Sequence, residues 1–185
     1  GIAQESPGLI PDKAWKKRRF RGARGVWQQG ETLISGIGQG YVLTTPLQLV
    51  TMMARLVNGG YEVKPTFTKV DEKERVQMDK IKISSAYLDL VKEGMFSVVN
   101  IPGGTAYGSR FNYNGQMMGG KTGTTNENKE AWFVGFTPDL VVATYIGFDE
   151  PRTLGRRETG AAAALPVFYD FAAKALSGKP DTPFR

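Results

Sequence analysis

The stretch from residue 117 to residue 148 constrains this chain most. Three strand-like segments, at 117–125, 131–136 and 140–148, are separated only by Asn126-Glu127-Asn128-Lys129 and by Thr137-Pro138-Asp139. A parallel pairing needs a crossover of about a dozen residues or more. Connections this short leave an antiparallel meander. A sheet of that size must bury a face against another layer, so helices have to supply the cover.

The helices are legible on both sides of the meander. Thr45-Pro46-Leu47-Gln48 reads as a capping box with proline at the first helical position. Leu47, Val50, Met53 or Ala54, and Val57 then recur at helical spacing until Gly59-Gly60 stops the run. Residues 63–70 alternate loosely and read as a strand, followed by a charged connector at 71–75. Ser84 or Ser85 opens a second helix along Leu88, Val91, Met95 and Val98 or Val99. Pro102-Gly103-Gly104 breaks it, and a Gly/Asn-rich stretch runs on to Gly115. A last helix starts near Thr159 and buries Leu165, Phe168, Ala172 and Leu176. Trp132, Phe133 and Phe136 are expected to pack against that helix. Residues 1–34 read as irregular. The fold class is α/β: an antiparallel sheet flanked by helices.

Composition removes whole classes of chemistry. The chain has no histidine and no cysteine, so its own residues build no Ser-His-Asp triad, no Cys-His pair and no thiolate or imidazole metal site. Neither a metal nor a cofactor is expected. The net charge of +6 favours acidic partners. Residues 13–24 gather much of it, with Trp15, Phe20 and Trp27 interleaved. No nucleic-acid module accompanies the cluster, so the aromatics read as anchors and no nucleic-acid partner is expected. No apolar run reaches the roughly 18 residues of a membrane span.

The candidate site is Lys121-Thr122-Gly123-Thr124-Thr125, preceded by Gly119-Gly120. A lysine, a residue without a side chain and three hydroxyls share one extended segment. Such a strand edge suits holding a carboxylate and presenting an N–H to a developing oxyanion. Strict alternation puts Lys121 and Gly123 on one face and Thr122 and Thr124 on the other. For Lys121 and Thr124 to serve one pocket, twist or a bulge is needed. Glu127, Glu130, Asp139 and Asp149 read as solvated turn carboxylates.

With its neighbours, this segment resembles the C-terminal part of a penicillin-binding protein transpeptidase domain, across residues 1–185. Lys-Thr-Gly is one of that family's three motifs. The resemblance extends to Gly36-Ile37-Gly38-Gln39-Gly40-Tyr41 with Thr45-Pro46-Leu47-Gln48-Leu49, and to Val98-Val99-Asn100-Ile101-Pro102-Gly103-Gly104-Thr105-Ala106. Trp15 to Phe20, Gly30-Glu31-Thr32 and the Val98 to Ala106 run resemble the class B, elongation-type enzymes. Thr125-Asn126-Glu127, Ala131 to Asp139 and Arg156-Arg157-Glu158-Thr159-Gly160 resemble the class A, bifunctional ones. The other two family motifs, Ser-x-x-Lys and Ser-x-Asn, match none of the serines here, Ser6, Ser35, Ser84, Ser85, Ser97, Ser109 or Ser177. In the family both lie upstream, so the missing N-terminal part of the same protein is expected to carry them, together with a membrane anchor.

The resemblance implies a serine D,D-transpeptidase of peptidoglycan synthesis, at the periplasmic face of the bacterial inner membrane. It makes Lys121 and Thr124 catalytic, with the Thr124 backbone N–H as an oxyanion donor and the Thr122 and Thr124 hydroxyls as candidate partners of the substrate's terminal carboxylate. It makes Thr122, Gly123 and Thr125 substrate-binding. Partners would be D-Ala-D-Ala stem peptides, with β-lactams as inhibitors. Alone, the chain would lack its nucleophile and be inactive. The alternative is a non-catalytic wall-peptide or partner-binding module of the same fold.

Overall fold

A computed structural model of the chain describes residues 5–69, 78–109, 118–180 and 182–183. Two units divide it, Ile2–Thr45 and Pro46–Arg185, apart from Gly1.

In the first unit, helix α1 (Lys13–Arg19) begins at Asp12, whose carboxylate accepts the Trp15 amide at 2.5 Å. A 3-10 turn at Gly22–Gly25 leads to helix α2 (Gln29–Gly36), which a reciprocal Gln28–Glu31 capping box opens. The expectation of an irregular start is therefore corrected. Both helices are too short to show apolar periodicity, and polar caps on their orphan amides define them instead. Lys16 is buried and donates to the Val26 carbonyl at 2.7 Å and to Glu31 Oε2 at 2.6 Å. That pair ties α1 to α2. Trp15 and Phe20 pack on Tyr41, with ring centroids 5.1 and 5.5 Å away. Leu9 and Leu43 exchange backbone hydrogen bonds.

The second unit starts with helix α3 (Pro46–Val57), whose Met53 is buried, and continues to helix α4 (Ser85–Asn100). Ser84 sits at the α4 N-cap without a side-chain cap bond. The buried line of α4 is Leu88, Met95 and Val99, whereas Val91 is 44% exposed. The strand expected at 63–70 does not form over its described residues. Only Tyr61 makes a bridge, to Lys80. Pro65 removes a ladder donor, and the Arg55 guanidinium takes the Val63 carbonyl at 3.1 and 3.2 Å. The charged connector at 71–75, and most of the Gly/Asn-rich stretch, lie outside the described residues.

Strands β1 (Gly119–Thr124), β2 (Glu130–Phe136) and β3 (Val141–Gly147) form the expected meander in the order β1-β2-β3. β1 and β2 run in unbroken antiparallel register from Gly119 opposite Phe136 to Thr124 opposite Ala131. Glu127 and Asn128 adopt positive φ in the hairpin between them. A π-helical turn at Gly160–Ala164 runs into helix α5 (Leu165–Leu176). The Thr159 hydroxyl caps that turn by accepting the Ala162 amide.

Period-two alternation sorts the sheet into two cores. Ala131 and Phe133 face α5, where Phe133 meets Phe168 edge-to-face at 5.0 Å among Ala164, Leu165 and Ala172. Val134 and Phe136 face the opposite way, onto Met53 of α3 and Met95 of α4. The shared aromatic layer expected on the last helix is thus corrected. Trp132 and Phe136 are even-numbered and point away from α5, and the Trp132 ring lies tilted against Tyr145 with centroids 4.5 Å apart.

Candidate active site

β1 is an edge strand among the described residues. Which of its amides face outward follows from the hairpin. The Thr125 amide donates to the Glu130 carbonyl at 3.1 Å, so odd-numbered residues turn their backbone groups toward β2. Within a strand the N–H and C=O of one residue point the same lateral way, and the direction alternates. Gly120, Thr122 and Thr124 therefore present theirs at the open edge. Two carbonyls of that parity accept from side chains. Met118 accepts from Asn100 Nδ2 at 2.8 Å, and Thr122 accepts from Lys121 Nζ at 2.7 Å.

The side chains divide between the faces. Lys121 lies opposite Val134 and so shares the face covered by α3 and α4, but its own side chain is exposed. Thr122 and Thr124 lie on the α5 face. The Thr122 hydroxyl meets that of Thr105 at 2.8 Å. Thr124 Oγ1 accepts the Gly160 amide at 3.0 Å. Thr125 closes the hairpin, its hydroxyl accepting the Glu130 amide at 2.8 Å. The register carries no bulge between residues 119 and 124. The Lys121 ammonium reaches the Thr122 carbonyl at the open edge of the strand, the same edge to which the alternation turns the Thr124 amide.

Glycines bring neighbouring elements close. A side chain at Gly123 would press on the Trp132 Cβ at 3.1 Å, and one at Gly120 would strike the Phe133 ring at 2.6 Å. Gly160 sits directly on the backbone of Gly123 and Trp132, with no room for a Cβ. The start of the π-helical turn is thereby seated against the segment that carries Thr124. This contact, and those from Asn100 and Thr105, were missed as site features in the sequence. The signal lay in the small residues: Gly160 after a capping threonine, and Thr105 after paired glycines.

Glu127 stays in its turn, whereas Glu130, expected as a solvated turn carboxylate, is the half-buried first residue of β2. Glu127 pairs with Lys129 at 2.7 Å, and that ammonium holds its carboxyl below the usual range. Glu130 accepts from the Tyr145 hydroxyl at 3.3 Å. Burial, then the nearby Glu130, pushes the Tyr145 phenol up. Among the described residues no cluster of acidic side chains could hold a metal ion, and no helix is long and apolar enough to cross a membrane.

Residues 1–173 match the family described as "Penicillin binding protein transpeptidase domain". Penicillin-binding protein 1A of Rickettsia bellii is 33% identical over 174 residues, which cover 79% of this chain and 22% of that protein. The crystal structure of penicillin-binding protein 1A from Haemophilus influenzae superposes with a TM-score of 0.62 at 27% identity, over 81% of this chain and 29% of that one. A structure described as "Structural coordination of polymerization and crosslinking by a peptidoglycan synthase complex" gives a TM-score of 0.67 at 29% identity, over 96% and 30%. The chain thus spans under a third of each of these relatives.

Proposed function

Because the chain belongs to the penicillin-binding protein transpeptidase family, we propose that it supplies one wall of a serine acyl-transfer site that cross-links peptidoglycan stem peptides. The observation that carries this reading is the open edge of β1, with the outward Thr124 amide beside an exposed lysine. A serine from another segment of the protein attacks the D-Ala-D-Ala carbonyl, and the carbonyl π electrons move onto oxygen. The Thr124 N–H is one donor to that oxyanion. Such a donor contributes about 2.7–4 kcal/mol of transition-state stabilisation. Collapse expels D-Ala and leaves an acyl-enzyme, which an amine of a second stem peptide then takes over.

Lys121 and the Thr122 hydroxyl grip the terminal carboxylate of the donor peptide. Gly123 adds no side chain to the rim, so an extended peptide can lie along it as an added strand. Thr125 supports the rim from the hairpin. The active protein works at the cell wall, in the periplasm, and a β-lactam stalls it at the acyl stage. Residues 1–185 form the C-terminal part of one transpeptidase domain in this reading.

A fluorescent penicillin followed by a denaturing gel tests it. The 185-residue chain is expected to stay unlabelled, and a longer product of the same gene to carry a covalent band. Labelling of the short chain would contradict the assignment of the serine. A longer product that contains neither Ser-x-x-Lys nor Ser-x-Asn and takes no label would favour the wall-binding module instead.

A further inference from the structure

One continuous segment, Asn100 to Thr105, makes side-chain hydrogen bonds to Met118 just before β1 and to Thr122 within it. Asn100, the last residue of α4, donates from Nδ2 to the Phe96 carbonyl within its own helix and to the Met118 carbonyl, both at 2.8 Å. Five residues later, the Thr105 hydroxyl meets the Thr122 hydroxyl at 2.8 Å. The intervening loop is held tightly. Gly103 takes a φ of +93°, and Gly104 packs on the Val98 carbonyl with no space for a Cβ. The Gly104 amide donates to Ile101 at 3.0 Å, and the Ala106 amide to Val98 at 3.1 Å. Ala106 is buried in the α5-side core. Thr105 is thus an exposed residue set between two anchored ones.

A carboxylate accepts hydrogen bonds and donates none, while a threonine hydroxyl has a single proton and accepts through its lone pairs. If Thr122 spends its proton on Thr105, nothing remains for a ligand carboxylate. If Thr105 donates instead, its proton fills a lone pair of Thr122, and the Thr122 proton is free to point elsewhere. A carboxylate at the rim selects the second arrangement, because the hydrogen bond it receives is charge-assisted.

We infer that Thr105 is a positioning residue of this site: its hydroxyl donates to Thr122 Oγ1 and so aims the Thr122 proton at the terminal carboxylate of the substrate. This rests on the transpeptidase reading above. Thr105 itself touches neither the reacting carbonyl nor the nucleophile. Its effect is on recognition of the carboxylate.

The test compares benzylpenicillin with its methyl ester, in the longer protein that supplies the serine. The acid presents a carboxylate and the ester does not. The second-order acylation rate constants give an acid-to-ester ratio for each variant. Thr105→Val and Thr105→Ala are expected to lower that ratio about tenfold, chiefly by slowing the acid, with the thermal midpoint unchanged. Thr105→Ser is expected to keep it. A ratio unchanged in both Thr105→Val and Thr105→Ala overturns the inference. So does an equal loss for acid and ester accompanied by a lower thermal midpoint, which would mark a purely structural residue. Wild-type protein acylated by neither compound overturns the transpeptidase reading itself.

Discussion

At the scale of single residues, Lys121 and Glu31 make contrasting use of charge. Lys121 is exposed, and its ammonium donates to the Thr122 carbonyl of its own strand. A carboxylate at the rim offers it a stronger acceptor. Lys121→Ala in the longer protein is expected to slow acylation by benzylpenicillin about 10- to 100-fold, as loss of one hydrogen bond between charged groups implies. Stopped-flow or gel-based labelling kinetics would measure it. Glu31 is structural. Its carboxyl is held below the ordinary value of 4.5, first by the Gln28 amide and then by the Lys16 ammonium. A carboxyl depressed by folding contributes stability that is whole above its unfolded pKa and is lost as pH falls through the folded one. The contribution of Glu31 to the thermal midpoint is therefore expected to be whole above about pH 5 and to fade as pH falls below it. Glu31→Gln is expected to lower the plateau and remove that part of the slope. Lys121 is singled out in the sequence by its Lys-Thr-Gly motif. The Lys16–Glu31 pair is not, because fifteen residues of chain separate partners that no periodicity links.

At the scale of elements, the meander was legible because short connections exclude other pairings, and α5 because its four apolar positions are all buried as spaced. Sorting Trp132, Phe133 and Phe136 onto one helix failed because adjacent strand residues cannot share a face. The strand at 63–70 failed because loose alternation counted for more than Pro65. Phe133 is fully buried and bridges β2 to α5. Phe133→Ala is expected to cost about 3–5 kcal/mol in denaturant unfolding. Gly160→Ala tests the contact between the π-helical turn and β1. The added methyl collides with the backbone of Gly123 and Trp132 rather than with a movable side chain. A loss of about 1–3 kcal/mol is expected, together with slower acylation in the longer protein, since β1 must shift to admit it.

At the scale of the whole molecule, each unit leaves large apolar side chains in solvent. In one, Ile10, Leu33 and Ile37 are 80%, 72% and 72% exposed; in the other, Phe67, Tyr87 and Leu90 are 88%, 66% and 63% exposed. Where such side chains adjoin in one contiguous patch, they mark a surface that other protein covers. The 185-residue chain is expected to bind 8-anilinonaphthalene sulfonate with enhanced fluorescence, and the longer protein to bind it less per molecule. Equal signals would argue that nothing further covers these residues. The alternating backbone of β1 also sets a rule for chain-length variation. One residue inserted or deleted between Gly119 and Thr124 would swap every inward amide for an outward one beyond that point, and the 124 N–H would turn into the sheet. An odd-numbered length change in this ribbon therefore needs a compensating β-bulge, and functional homologues that carry one should show the bulge beside it.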